Sequence, residues 1–210
     1  MIIGVTGLIG SGKDTVADYL CTFYGFKRCS FAESLKDALS AIFGWDRELL
    51  EGSTKSSREW REQVDTWWAK RLNIPHLTPR WAMQIWGTEV ARENFHNDIW
   101  VASVENKLRT SKDDIVITDC RFSNEVQAIK NSGGIAIRIE RGSRPDWYEF
   151  AEQFNKGPST IGWALSKSEL MKRNVHASEY SSVGLDYDFV VDNNGTIDDL
   201  HYKIKSILNL

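Results

Sequence analysis

Gly7-Leu8-Ile9-Gly10-Ser11-Gly12-Lys13 is the stretch on which the reading of this chain turns. It fits the pattern G-x-x-x-x-G-K, and its flanks suit it: Ile2-Ile3-Gly4-Val5-Thr6 is a short β-branched run, and Val16, Leu20 and Phe23 recur at helical spacing. Strand, glycine loop and helix follow one another as phosphate binding requires. The glycines let the backbone curl until successive N–H groups point inward, the helix start adds partial positive charge, and the Lys13 ammonium reaches the β and γ phosphates. Gly7, Gly10, Ser11, Gly12 and Lys13 are therefore read as a cradle for a nucleoside triphosphate. A tight turn with an incidental lysine is the plainer reading, and the complete spacing argues against it.

One position departs from the usual pattern. Asp14 stands where Ser or Thr ordinarily offers a hydroxyl to Mg²⁺, and Thr15 follows one place later. In small-molecule kinases with the order G-K-x-T, the threonine touches phosphate and Mg²⁺ is held largely through water, which it surrenders reluctantly. Asp14 either orients such a water or is an acid in the first helical turn, favoured there by the macrodipole.

Outward from the loop, Ser30-Phe31-Ala32-Glu33 has the form of a capping box that opens a helix with Leu35, Leu39 and Ile42 on one face. From Trp45 to Trp100 the pattern is mostly helical, with one segment around Ser57 to Arg71 and another opened by Thr78-Pro79. Asp114 to Asp119 then forms a buried-strand run ending in an acid, followed by a helix from about Ser123 to Asn131 and a strand from Ile135 to Ile139. Residues 141–184 are polar and loop-rich, with helical stretches near Trp147 to Phe154 and Ser166 to Met171, the second opened by another S-x-x-E box. Phe189-Val190-Val191 is a last strand, and Ile197, Leu200, Ile204 and Leu208 line a closing helix. The alternation predicts an α/β fold, a parallel sheet of about five strands with helices on both faces and ligands at the carboxyl edge.

The 210 residues, 41% hydrophobic and 26% charged, can bury a core in one domain, which excludes disorder, collagen and coiled coil. The formal charge of -3 means that an anionic ligand must be met by a local cluster of bases, and it argues against bulk nucleic-acid binding. Cys21, Cys29 and Cys120 lack metal-like spacing, which suggests reduced thiols in a cytoplasmic protein. The stretch Met1 to Gly12 is short and glycine-broken, so neither an export signal nor a membrane span is expected.

Asp119, at the end of its strand, is placed as a Walker-B-like acid serving Mg²⁺ near the γ-phosphate, although strand ends also carry Asp as a helix cap. It opens Asp119-x-Arg121-Phe122-x-Asn124-Glu125. This motif, with Gly7 to Thr15, Phe31-Ala32-x-x-Leu35-Lys36, Gln84-x-x-Gly87-Thr88-Glu89, Asp98-x-Trp100-Val101, His176-x-Ser178-Glu179 and Asn194-Gly195-Thr196, resembles the bacteriophage deoxynucleoside monophosphate kinases. The motifs stand in the family's order and span nearly the whole chain. Cys120 and Ser123 depart from it, where a small apolar residue and proline are more frequent. The resemblance implies a P-loop kinase fold in one domain over residues 1–210, with a helical acceptor-binding insertion at about 45–110 and a lid at about 141–184. It also implies ATP and Mg²⁺ as cosubstrates, a deoxynucleoside monophosphate acceptor, the host cytoplasm if the chain is phage-encoded, and a monomer or homodimer. Lys36 resembles the family's acceptor-phosphate lysine, and Asn124 falls within the acceptor-side motif.

A monophosphate with a second pKa of about 6 is already a nucleophile at neutral pH, so no catalytic base is needed. The difficulty is to join two polyanions and stabilise the moving charge, which calls for Lys, Arg and Mg²⁺ in a dry cleft. Arg121 is read as a phosphate clamp, with an ion pair to Glu125 as its structural alternative. At 100° per residue Trp81, Gln84, Ile85, Thr88 and Arg92 share an arc of roughly 100° on one helix, either a nucleotide pocket with Arg80 beside it or a half-buried packing face. Seven of the nine tryptophans lie between Trp45 and Trp100, most of them expected in the core and Trp100 beside the substrate. Of Arg138, Arg141 and Arg144, Arg141 is chosen as the lid arginine that closes over the transferring phosphate, and the other two are read as surface residues. His176 and Glu179 are read as a structural pair, and Asn193 and Asn194 either face adenine or form an N-G turn. The catalytic set is thus Lys13, Asp119, Arg121 and Arg141, with Asp14 and Asp119 at the metal, Thr15 and Asn194 on ATP, and Lys36, Arg80, Gln84, Thr88, Arg92, Trp100 and Asn124 on the acceptor. The rivals are another small-molecule kinase, such as one for dephospho-coenzyme A, and a regulatory module that holds ATP without an acceptor.

Overall fold

The computed structural model describes residues 1–210, which divide into two compact units, Met1–Ser30 with Leu108–Leu210 and Phe31–Lys107. The first contains β1 (Ile2–Thr6), α1 (Lys13–Tyr24) and β2 (Lys27–Cys29). The second holds α2 (Glu33–Phe43), α3 (Arg47–Glu51), α4 (Lys55–Arg61), α5 (Thr66–Leu72), α6 (Pro79–Ile85), a π-helix π1 (Trp86–Glu93) and α7 (Ile99–Leu108), whose last residue begins the return. The first unit then resumes with β3 (Ile115–Ile117), α8 (Ser123–Asn131), β4 (Ile135–Glu140), α9 (Tyr148–Asn155), α10 (Trp163–Lys172), α11 (Ala177–Tyr180), β5 (Phe189–Asp192) and α12 (Ile197–Leu208).

The five strands pair in the order β2-β3-β1-β4-β5, all parallel. Parallel pairing needs a crossover between neighbours, and the helices that supply it cover both faces. Ile3 and Val5 of β1 turn one way and pack with Val16 and Leu20 of α1 and Leu200 and Ile204 of α12. Gly4 turns the other way, toward α8, where a Cβ would lie 2.2 Å from the Ile129 side chain. The missing side chain is what lets α8 approach β1 so closely. Because every strand runs the same way, the loops after β1, β3, β4 and β5 emerge at one edge, where such sheets bind ligands. No helix is long and apolar enough to cross a membrane.

A smaller cluster of Tyr148, Ala151, Leu170 and Val183 gathers α9, α10 and the segment after α11, and Leu8 of the glycine loop packs against it. In the second unit, Leu35, Leu39, Trp45, Leu50, Leu77 and Ala82 form the core, joined by Trp60, Trp68, Trp81, Trp86 and Trp100. Their indole N–H groups are accounted for where the rings are buried: Trp45 donates to Asp65 (2.8 Å), Trp68 to the Phe43 carbonyl (3.0 Å) and Trp100 to the Gly87 carbonyl (2.9 Å). Trp67 is the exception to the core expectation, with its ring in solvent.

Several local readings are corrected. The Ser30 box does not cap α2; the helix starts after Ala32 with no side-chain cap, and the Ser30 hydroxyl donates to Asp119. The segment from Ser57 to Arg71 is two helices, because Asp65 accepts from the Trp68 N–H and starts a new one. Ser166 lies inside α10, which begins a turn earlier beyond Gly162 at φ +88°. Phe23, Ile42 and Ile197, assigned to apolar faces, are exposed, since each sits near a helix end where the core falls away. Thr78-Pro79 opens α6 as read, its hydroxyl accepting from the Trp81 N–H at 3.0 Å.

Ile137 is fully buried in β4 beneath α1 and α12. Ile137→Ala is expected to lower stability by about 2–5 kcal/mol with an unchanged denaturant slope, measured by urea unfolding.

Candidate active site

The loop between β1 and α1 adopts positive φ at Gly7 (145°), Gly10 (77°) and Gly12 (103°), conformations that side chains rarely tolerate. Lys13, the first residue of α1, turns its ammonium back to donate to the carbonyls of Gly7 and Leu8, both at 2.9 Å. Burial pushes its pKa down, Arg121 and Arg138 push the same way, and Asp14 and Glu179 pull against them. Arg121 and Arg138 thus stand near enough for their charge to act on Lys13. Ser11 is buried, and its hydroxyl has no hydrogen-bond partner.

Sequence reasoning did not see what holds the loop. Asn193, buried just past β5, donates its side-chain amide to the Ser11 carbonyl at 2.8 Å, and a Cβ on Gly12 would come within 2.4 Å of that amide nitrogen. The neighbouring Asn194 accepts from the Gly142 N–H at 2.8 Å and so ties the loop after β5 to the loop after β4.

Asp14 and Asp119 each lie by the end of β3, with separate partners. Thr118 donates to Asp14 at 3.3 Å, Arg28 pairs with the same oxygen at 3.3 Å, and Ser30 donates to Asp119 at 2.6 Å. Both acids offer oxygen only, and Asp14, whose side chain is 78% exposed, is open to water. That suits Mg²⁺, which binds through one or two carboxylates and keeps several waters.

Arg121 does not pair with Glu125 through its side chain as the alternative supposed. Glu125 accepts from the backbone N–H groups of Arg121 (2.7 Å) and Phe122 (3.1 Å), bracing the start of α8, while the Arg121 guanidinium lies 3.6 Å from Glu179. His176 caps α11 by accepting from the Ser178 N–H, so the expected His176–Glu179 pair is not made. Asn124 lies in the first turn of α8.

Arg138 is a second correction. It is buried rather than at the surface, donating to Glu140 (3.0 Å), the Ser182 carbonyl (3.0 Å) and the Tyr148 hydroxyl (3.0 Å). Arg144 stacks over the Tyr148 ring at 4.5 Å and pairs with Glu140 at 3.4 Å. Arg141, in the exposed loop after β4, precedes Gly142 at φ +70°.

On the second unit, Lys36 is buried and pairs with Glu51 at 2.6 Å, and Arg80 lies 3.3 Å from Glu62. The helix that carries Gln84, Thr88 and Arg92 changes pitch at Trp86, where the π-helical segment begins. Bonds from Asn94 N–H to the Glu89 carbonyl (3.2 Å) and from His96 N–H to the Ala91 carbonyl (2.9 Å) span five residues, so each residue rotates the chain less than in an α turn and Thr88 and Arg92 stay near the face of Gln84. The Gly87 carbonyl taken by Trp100 is one of the groups that opens the ladder.

A glycine-lined anion cradle at the carboxyl edge of a five-stranded parallel sheet, with lysine and arginine gathered on it, defines a P-loop kinase. Residues 51–153 match the family described as deoxynucleotide monophosphate kinase. A protein of Acanthamoeba polyphaga mimivirus, provisionally given that name, is 28% identical over 223 aligned positions covering 100% of this chain and 96% of its own. The deoxynucleoside-5′-monophosphate kinase of Escherichia phage T5 is 27% identical over 63% of this chain and 72% of its own, and the deoxynucleotide monophosphate kinase of Enterobacteria phage T4 is 20% identical over 100% and 99%. Among solved structures, the chain is similar to shikimate kinase from Aquifex aeolicus (TM-score 0.47, 13% identity, 100% of this chain and 96% of that one). The chain is thus similar to deoxynucleotide monophosphate kinases, over residues 51–153 by the family pattern and over its whole length in two of these relatives.

Two predictions follow from this geometry. Asn193→Ala leaves the Ser11 carbonyl without its buried donor and is expected to weaken nucleoside triphosphate binding roughly tenfold, read by calorimetry, with the fold intact by circular dichroism. Burial alone would raise the Glu140 pKa, yet the hydrogen bond and charge of Arg138 hold it below the ordinary 4.5. A depressed carboxylate stabilises the fold above its unfolded pKa and loses that contribution as pH falls through the folded value. Glu140→Gln should therefore lower stability at neutral pH and flatten its decline below about pH 4.5 in urea titrations.

Proposed function

We propose that the chain transfers the γ-phosphoryl group of ATP to the 5′-phosphate of a deoxynucleoside monophosphate. An acceptor phosphate oxygen attacks the γ phosphorus, the bond to the β–γ bridging oxygen breaks, and a deoxynucleoside diphosphate and ADP leave. The observation that carries this reading is the half-buried Lys13 ammonium, which has carbonyl oxygens as its hydrogen-bond partners and two arginines raising the positive potential around it. Such a site is costly without an anion and is satisfied by a polyphosphate.

Lys13, the loop amides of Gly7 to Gly12 and the Ser11 and Thr15 hydroxyls would hold the donor phosphates. Asp14 and Asp119 would hold Mg²⁺, which when bound neutralises charge on the β and γ phosphates. Arg121, freed from Glu179, would clamp the transferring group, and Arg141 would join it as residues 141–184 close as a lid. Asn194 orients the loop that carries Arg141 through Gly142. On the second unit, Lys36, Arg80, Gln84, Thr88, Arg92 and Trp100 would bind the acceptor. Lid closure would exclude water that otherwise hydrolyses ATP.

Turnover is tested with ATP, Mg²⁺ and each of the four common dNMPs in a coupled ADP assay. Lys13→Ala is expected to abolish transfer, and Arg121→Ala to lower kcat by about 10²–10³ with the KM for ATP little changed. Unaltered kcat in Arg121→Ala removes its clamping role.

A further inference from the structure

The second unit carries a set of cations that the acceptor residues named above do not explain. Arg61, the last residue of α4, folds back over the turn at Gly52, where a Cβ would lie 2.1 Å from its Cζ and 2.2 Å and 2.5 Å from its terminal nitrogens. Gly52 has φ +69°, so the missing side chain both allows the turn and leaves room for the guanidinium. The Arg61 Nε is buried and has no hydrogen-bond partner. Arg58, one turn earlier, donates to the Gly52 and Ser53 carbonyls of the same turn at 3.2 Å and 3.1 Å. Arg80, in the first turn of α6, is drawn alongside by Glu62, the residue after Arg61.

This arrangement concentrates like charge. Burial holds the Arg61 pKa below its ordinary range, Arg80 and Arg58 press it further the same way, and Glu62 and Glu51 oppose them in part. Glu51 is already bonded by Lys36 at 2.6 Å and Arg47 at 2.8 Å, and Glu62 lies against Arg80. A buried guanidinium nitrogen without an acceptor, seated among other arginines, is built for an anion with several oxygens. Gln84 follows Arg80 by four residues on the exposed side of α6, about 6 Å along the helix axis, which is within reach of a base attached to a phosphate held at Arg80.

We propose that Arg61, with Arg58 and Arg80, binds the 5′-phosphate of the acceptor mononucleotide over the Gly52 turn. This rests on the kinase reading and assigns the anion end of its acceptor site. Planar fork geometry suits a terminal phosphate dianion, and lysine would supply the charge without the second hydrogen bond.

The test compares, by calorimetry without ATP, the dNMP of highest turnover and its deoxynucleoside against the full chain and Arg61→Ala. Arg61→Ala is expected to lose about tenfold or more in affinity for the monophosphate, with nucleoside and ATP affinities unchanged, and Arg61→Lys to recover part of the loss. Should Arg61→Ala fail to fold, Arg80→Gln at an exposed position is put through the same comparison. An unchanged gap between monophosphate and nucleoside, or an equal loss for both, overturns the proposal and leaves Arg61 as a prop for the turn. If the unmodified chain phosphorylates none of the four dNMPs, the functional reading itself falls, and the site with it.

Discussion

The structure depends on keeping a lysine charge where little solvent reaches it. Lys13 is held by two carbonyl oxygens of its own loop, and those carbonyls face it only because three glycines take backbone angles closed to other residues. The loop is then fixed from outside by Asn193, at the far end of the sheet order, so the last strand positions the first loop. Sheet and site are in this sense one object. A parallel sheet brings all its strand exits to one edge, and the loops after β1, β3, β4 and β5 can cooperate there although more than a hundred residues separate the first from the last.

What could be read from sequence is what is local or periodic. The glycine spacing, the β-branched runs and the Thr78-Pro79 start each declare themselves within a few residues, and each appears where expected. What could not be read depends on which partner wins a side chain. The Ser30 oxygen had a plausible helix to cap and serves Asp119 instead; Arg138 looked like one of three loop arginines and is drawn into the interior by Tyr148, Glu140 and the Ser182 carbonyl together. The change of pitch at Trp86 is invisible to any fixed angle per residue, although the slower rotation leaves Thr88 and Arg92 near the face of Gln84. Arg61 gave no signal at all, since its significance lies in a glycine nine residues earlier and an arginine nineteen residues later.

A chain of formal charge -3 must hide its anion sites behind its own carboxylates, and the tightness of each pair sorts the cations. Lys36 is bonded to Glu51 at 2.6 Å, with Arg47 holding the same carboxylate from the other side, so its ammonium is fixed in place beforehand and would meet a phosphate with its remaining N–H donors rather than by exchanging partners. Arg121 and Glu179 stand 3.6 Å apart and Arg80 and Glu62 3.3 Å, pairs that are half-exposed and contribute little to stability. Such loose pairs keep a guanidinium oriented and solvated cheaply until an oxyanion with better geometry replaces the carboxylate.

This sorting also bears on order. A cation whose carboxylate is loosely held can exchange it at the moment of binding, whereas one inside a tight network fixes the shape of the site beforehand. Lys36 and Arg138 belong to the second kind, buried and bonded to groups that do not leave, and they set the framework. Arg121 and Arg80 belong to the first, and the moving charge of a phosphoryl transfer calls for groups of that kind, already aimed and cheaply released.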